Sequence, residues 1–113
     1  MVIMNGEEAE CAAFIDGLEE VEYWVRNLDR EDYSFWLPTS TDKFYPDFVA
    51  QLKDGRILVV EYKRDKDWSS DDSKEKRLIG EVWEKRSNGR CLFVMPKGKD
   101  FNAIKQKINR GSK

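Results

Sequence analysis

Two apolar runs, 45–52 and 56–62, flank Lys53-Asp54-Gly55, and no other stretch of this chain restricts its folding so tightly. Both runs are rich in β-branched and aromatic residues, and a short loop ending in glycine between two such runs makes a β-hairpin. A three-residue loop with Gly55 in the left-handed region sets the register, and in that register Asp47 stands directly across from Glu61. Lys63 shares their face because side chains alternate along a strand. The opposite face is apolar, with Phe48, Ala50, Leu58, Val60 and Tyr62.

Like charges facing each other across a ladder are destabilising, by up to about 1 kcal/mol, so Asp47 opposite Glu61 calls for a compensating cation. Two readings satisfy that need. In one, Glu61 and Lys63 form an ion pair at the sheet edge and Asp47 is solvated. In the other, a divalent metal sits between the carboxylates; Mg²⁺ prefers carboxylate oxygens and water, and bridges naturally to phosphate.

Composition narrows the chemistry further. The 113 residues hold one domain, 1–113, which excludes a motor or any two-domain enzyme within this stretch. Apolar residues at 40% and four Trp, four Tyr and six Phe suffice for a core, so the 37% charged residues do not signal disorder. Histidine is absent, which removes zinc fingers, Ser-His and Cys-His nucleophiles and imidazole bases. Any reaction must run on carboxylates, lysines and a hard metal ion. Cys11 and Cys91 both have apolar neighbours and are expected to be buried, reduced thiols. No apolar run is long enough to cross a bilayer and the first residues lack a signal-peptide pattern, so a cytoplasmic protein without a membrane partner is expected. Residues 1–63 carry 6 basic and 14 acidic side chains and residues 64–113 carry 14 and 8, a polarity that can offer phosphates a cationic surface.

The remaining elements follow from periodicity. Asn5 and Glu8 have the form of a capping box, and Cys11, Phe14, Ile15 and Leu18 recur at helical spacing, giving a helix over 6–19. A strand is expected over 21–26, polar turn material over 27–32 and a second strand over 33–37 that Pro38 ends. After an exposed loop at 65–72, Asp72 with Glu75 caps a helix whose apolar face is Leu78, Ile79, Val82 and Trp83, stopped at Ser87-Asn88-Gly89. Residues 91–95 read as a strand buried on both faces, and Asp100 caps a last helix carrying Phe101, Ile104 and Ile108. Such an order makes a sheet covered by helices on both faces, with a right-handed crossover from 57 to 95.

Tyr45-Pro46-Asp47-Phe48-Val49 followed by Glu61-Tyr62-Lys63 resembles the PD-(D/E)XK nuclease signature. Together with Trp24-Val25-Arg26-Asn27, Phe35-Trp36-Leu37-Pro38, Asp54-Gly55-Arg56 and 72–77, it is similar to the C-terminal endonuclease domain of type III restriction enzyme Res subunits, which are helicase-nucleases. The resemblance implies an α/β (α+β) chain with the restriction-endonuclease-like αβββαβ core. It places the metal ligands on Asp47, Glu61 and the Tyr62 carbonyl, and the signature lysine on Lys63. A further acid from the first helix falls on Glu8, with Glu7 and Glu10 as its neighbours. The implied activity is Mg²⁺-dependent hydrolysis of double-stranded DNA, with Mn²⁺ as substitute, beside a helicase motor and methyltransferase subunits. Arg64, Lys74, Lys76 and Arg77 would grip the DNA backbone or form a solvated helix face. The acidic pI of about 5.3 suits an alternative, a catalytically silent DNA-binding or docking remnant of a helicase-nuclease.

Overall fold

A computed structural model of the protein describes residues 6–27, 35–40 and 43–111. Along the chain run α1 (Gly6–Asp16), β1 (Val21–Arg26), β2 (Leu37–Pro38), β3 (Lys43–Phe44), β4 (Phe48–Leu52), β5 (Ile57–Val60), a 3-10 turn (Asp65–Asp67), α2 (Asp71–Arg86), β6 (Cys91–Val94) and α3 (Asn102–Gly111). The main sheet has the order β1-β4-β5-β6; its first three strands are antiparallel and β6 runs parallel to β5. β2 and β3 form a separate two-stranded ladder. The architecture is mixed α/β, a mixed central sheet flanked by helices.

The hairpin forms in the register its loop dictates. Gly55 has φ 94°, its N–H donates to the Leu52 carbonyl at 3.0 Å, and Phe48 faces Val60. Alternation then divides the sheet between two apolar layers. Phe48, Ala50, Leu52, Leu58, Val60, Leu92 and Val94 pack with Cys11 and Ile15 of α1 and Ile104 and Ile108 of α3. On the other side Val49, Ile57, Val59, Phe93 and Met95 pack with Ile79 and Trp83 of α2 and with Leu37 and Phe44 of the small ladder. Each fully buried Leu or Val contributes roughly 1.5–3 kcal/mol relative to exposure, so the two layers hold the hairpin from both faces.

β1 carries a register shift between Val21 and Tyr23. One extra residue reverses which side chains face the core. Val21 and then Trp24 pack inward, Trp24 edge-on to Phe48, while Tyr23 and Val25 remain more than half exposed. The same reversal places Arg26 where it meets Glu8 of α1.

Three expectations from sequence require correction. The cap of α2 is Ser70, whose hydroxyl accepts from the Ser73 N–H, and the Glu75 carboxylate instead accepts from the Ser40 N–H at 3.1 Å. α2 is also rotated from the expected stripe: Ser73 and Gly80 are buried with Ile79 and Trp83 packed, whereas Leu78 and Val82 are exposed. The reason is steric, because Gly80 lies so close to the Phe93 ring that no side chain fits between them. Finally, the second strand is only Leu37–Pro38 within the described residues; it stops at Pro38 as expected, but Pro38 is its last paired residue, opposite Lys43. The expected Asn5 cap and residues 33 and 34 lie outside the described residues. Both cysteines are free, but Cys91 is half-buried; Cys11 is buried, and that burial pushes its thiol up to about 12. No helix among the described residues is long and apolar enough to cross a membrane.

Candidate metal and catalytic site

The site begins where the hairpin ladder stops. Beyond Phe48 and Val60 the next backbone bonds are made to side chains: the Asp47 N–H donates to Glu61 Oε1 at 3.1 Å and the Tyr62 N–H donates to Asp47 Oδ2 at 2.8 Å. Each carboxylate is thereby fixed by the partner strand's backbone. Glu61 is buried, and its own N–H is held by the Val94 carbonyl at 3.1 Å, so β6 fixes it from the other side.

Upstream of Asp47, Asn27 does the positioning. Its amide donates to the Phe35 and Pro46 carbonyls at 2.8 and 2.9 Å, its side-chain oxygen accepts from the Phe35 N–H at 2.9 Å, and its own N–H reaches the Asp47 carbonyl at 2.8 Å. Two of these bonds tie the end of β1 to the residues leading into β4, and the other two tie it to Phe35, just before β2. The sequence reading placed Asn27 in a polar turn and missed this role; its place beside Arg26 in a motif of the resembled family was the available signal.

Two ammonium groups approach Glu61 Oε2, Lys63 at 3.8 Å and Lys76 at 3.9 Å. Lys76 was expected on a DNA-gripping surface, but the rotation of α2 carries it onto the sheet-facing stripe with Ser73 and Gly80. Burial raises the carboxyl of Glu61 well above its usual range and the Asp47 charge adds to that, while Lys76 and Lys63 pull it back. Burial also raises Asp47, offset by the Tyr62 N–H and increased again by the charge of Glu8.

Of the first-helix acids, Glu8 is therefore the one whose charge reaches Asp47, and it is paired with Arg26 Nη1 at 2.6 Å. Glu7 accepts the Tyr62 hydroxyl, and the exposed Glu10 pairs with Lys99 at 3.4 Å. Arg64 is exposed beside the site and paired with Asp67 at 3.1 Å, and Lys74 is exposed on α2. Arg77 points elsewhere. Its guanidinium stacks 3.5 Å from the Trp68 ring centre and donates to the Trp68 carbonyl.

The donor set suits a hard divalent cation. A buried Glu61 whose charge is disfavoured by burial and by the neighbouring Asp47 is relieved by a positive ion, and Mg²⁺ takes one or two protein carboxylates and fills the remaining positions with water and substrate oxygens. Among the described residues no group of three or more acidic or thiol side chains is placed to hold a metal ion. No family model matches the chain, and no curated protein or solved structure shows significant similarity to it.

Proposed function

We propose that this chain is a metal-dependent endonuclease domain with the restriction-endonuclease-like core, hydrolysing phosphodiester bonds of double-stranded DNA. One observation carries the reading: half-buried Asp47 and buried Glu61 face each other at the ends of adjacent strands, with lysine ammonium groups beside Glu61. Opposed carboxylates in this position disfavour the metal-free protein, and a phosphate-bridging cation is the partner that resolves the conflict.

Asp47, Glu61 and the Tyr62 carbonyl would hold Mg²⁺, or Mn²⁺ in its place, with Glu8 able to join once released from Arg26. The ion supplies a polarised phosphate oxygen and offsets charge that develops at phosphorus. Lys63, at the mouth of the pair, orients the attacking water and stabilises the pentacoordinate transition state by its charge. Arg64 and Lys74 contact the flanking backbone, where a cation positions DNA without reading its sequence. Site selection and translocation belong to partners, a helicase motor and methyltransferase subunits.

Calorimetric titration with Mn²⁺ and nicking of supercoiled DNA in Mg²⁺ test the reading together. The wild type binds and nicks; Asp47→Ala and Glu61→Ala do neither, while their far-ultraviolet circular dichroism is unchanged. Undiminished Mn²⁺ binding by either variant refutes the site.

A further inference from the structure

Lys76 comes from a different element than the hairpin triad, yet it sits as close to Glu61 as Lys63 does. Its ammonium lies over the Phe44 ring, with Nζ 5.1 Å from the ring centre, and bridges Glu61 Oε2 at 3.9 Å and Asp72 Oδ2 at 3.1 Å. Asp72 lies one turn earlier on α2 and is exposed, so it holds the ammonium from the solvent side whether or not Glu61 remains available. The side chain is mostly covered, unlike that of Lys74 on the same helix.

Counting charges shows what a second lysine accomplishes here. Leaving aside Asp72, whose exposed charge is screened by solvent, the charges of Asp47 and Glu61 are matched by those of Lys63 and Lys76, both of which approach Glu61 Oε2, and Glu8 is paired with Arg26. A divalent cation added to this cluster leaves two positive charges in excess. A phosphodiester brings one negative charge, and attack by water develops another on the pentacoordinate phosphorus. With Lys63 alone the excess would be a single charge, enough for the bound diester and not for its transition state.

We propose that Lys76 is a second catalytic lysine of this site, held on Glu61 and Asp72 in the metal-free protein and contacting the scissile phosphate when metal and DNA are bound. The inference rests on the nuclease reading above. In the reaction the water oxygen forms a new bond to phosphorus and the bond to the leaving sugar oxygen breaks. The water's proton passes to solvent, and the leaving oxygen takes a proton from solvent. Lys76 exchanges no proton and acts by charge.

The test uses the full chain as Lys76→Met, which keeps an unbranched side chain of similar length, and as Lys76→Arg, which keeps the charge. Lys85→Ala removes an exposed cation from the same helix as a control. Mn²⁺ affinity of Lys76→Met, read by calorimetry, is expected to equal or exceed that of the wild type, because a repelling ammonium is gone. Single-turnover nicking at saturating protein is expected to fall on the order of 10²-fold in Lys76→Met, the usual cost of one transition-state donor. Lys76→Arg recovers part of the rate, and Lys85→Ala stays within twofold of the wild type. A tenfold loss of Mn²⁺ affinity in Lys76→Met would mean that the lysine only supports the carboxylates, and overturns the proposal. Nicking by Lys76→Met within fivefold of the wild type overturns it too and leaves the nuclease reading standing. A wild type that neither binds Mn²⁺ nor nicks DNA overturns both.

Discussion

Asn27→Ala is the perturbation whose cost can be worked most directly from the structure. The substitution leaves the backbone N–H from Asn27 to Asp47 in place and deletes three side-chain hydrogen bonds, two to the Phe35 and Pro46 carbonyls and one from the Phe35 N–H. All three are partly buried, and a typical bond of this kind contributes about 0.5–1.5 kcal/mol net, so the expected loss is about 3 kcal/mol. At roughly 4–8 °C per kcal/mol for a domain near this size, the midpoint falls by some 10–20 °C. Asn27→Asp separates the hydrogen-bond argument from mere loss of packing. It keeps the acceptor for the Phe35 N–H but turns a carboxylate oxygen toward two carbonyl oxygens, so near neutral pH it is expected to be at least as damaging as alanine. Below about pH 4 the new carboxyl regains a proton to donate and the variant recovers relative to Asn27→Ala. Urea unfolding followed by tryptophan fluorescence measures both, with the slope held constant as the check that only stability has moved. An Asn27→Ala variant within about 0.5 kcal/mol of the wild type would refute the assignment of Asn27 as the residue that fixes the approach to Asp47.

Other outcomes follow from the same geometry. Because burial raises the carboxyls of Asp47 and Glu61, the unfolded chain loses those protons first as pH rises, and the pair's contribution to stability is greatest in acid and lost toward neutrality. Glu61→Gln in chelator should therefore gain in melting temperature over the wild type as pH rises from about 4 to 7, and a flat or falling difference contradicts the burial argument. Lys63→Ala should leave Mn²⁺ affinity equal or higher while cutting nicking on the order of 10²-fold; survival of activity within a few-fold reduces Lys63 to an ion-pair partner of Glu61. Gly80→Ala puts a methyl group into the Phe93 ring, which Phe44 backs edge-on at 6.1 Å, so an overpacking cost of roughly 1–3 kcal/mol should outweigh the helix-propensity gain of about 1 kcal/mol, read as a lower urea midpoint.

Much of the fold was legible because period and turn chemistry agreed. Gly55 fixed the loop, the loop fixed the register, and Asp47 fell opposite Glu61 before any coordinate was needed. α2 was misread because its contact face is built on absence: Ser73 and Gly80, one heptad apart, let the helix approach β6, and hydrophobicity alone favoured the exposed Leu78 and Val82. That rotation is also why Lys76 was assigned to the surface. Arg26 was hidden for a different reason, since a single inserted residue in β1 reverses the faces that alternation would assign. Tertiary contact, not local propensity, decided these positions.

The placement of the carboxylates explains how one hairpin can be a stable element and still carry opposed charges at its end. Within the ladder each N–H bonds to a carbonyl; at its open end the N–H groups of Asp47 and Tyr62 bond to the carboxylates of Glu61 and Asp47 instead. The backbone donors remain satisfied, so the strands hold together without their last carbonyl partners. What stays unbalanced is charge, because burial raises both carboxyls and the Asp47 charge adds to that at Glu61. Lysines at nearly 4 Å relieve that imbalance without the short contact of a full hydrogen bond, in contrast to the 2.6 Å contact between Arg26 and Glu8. A loosely paired acidic end thus sits on a rigidly paired hairpin, and the apolar layers on either side of the sheet supply the stability that lets it remain so.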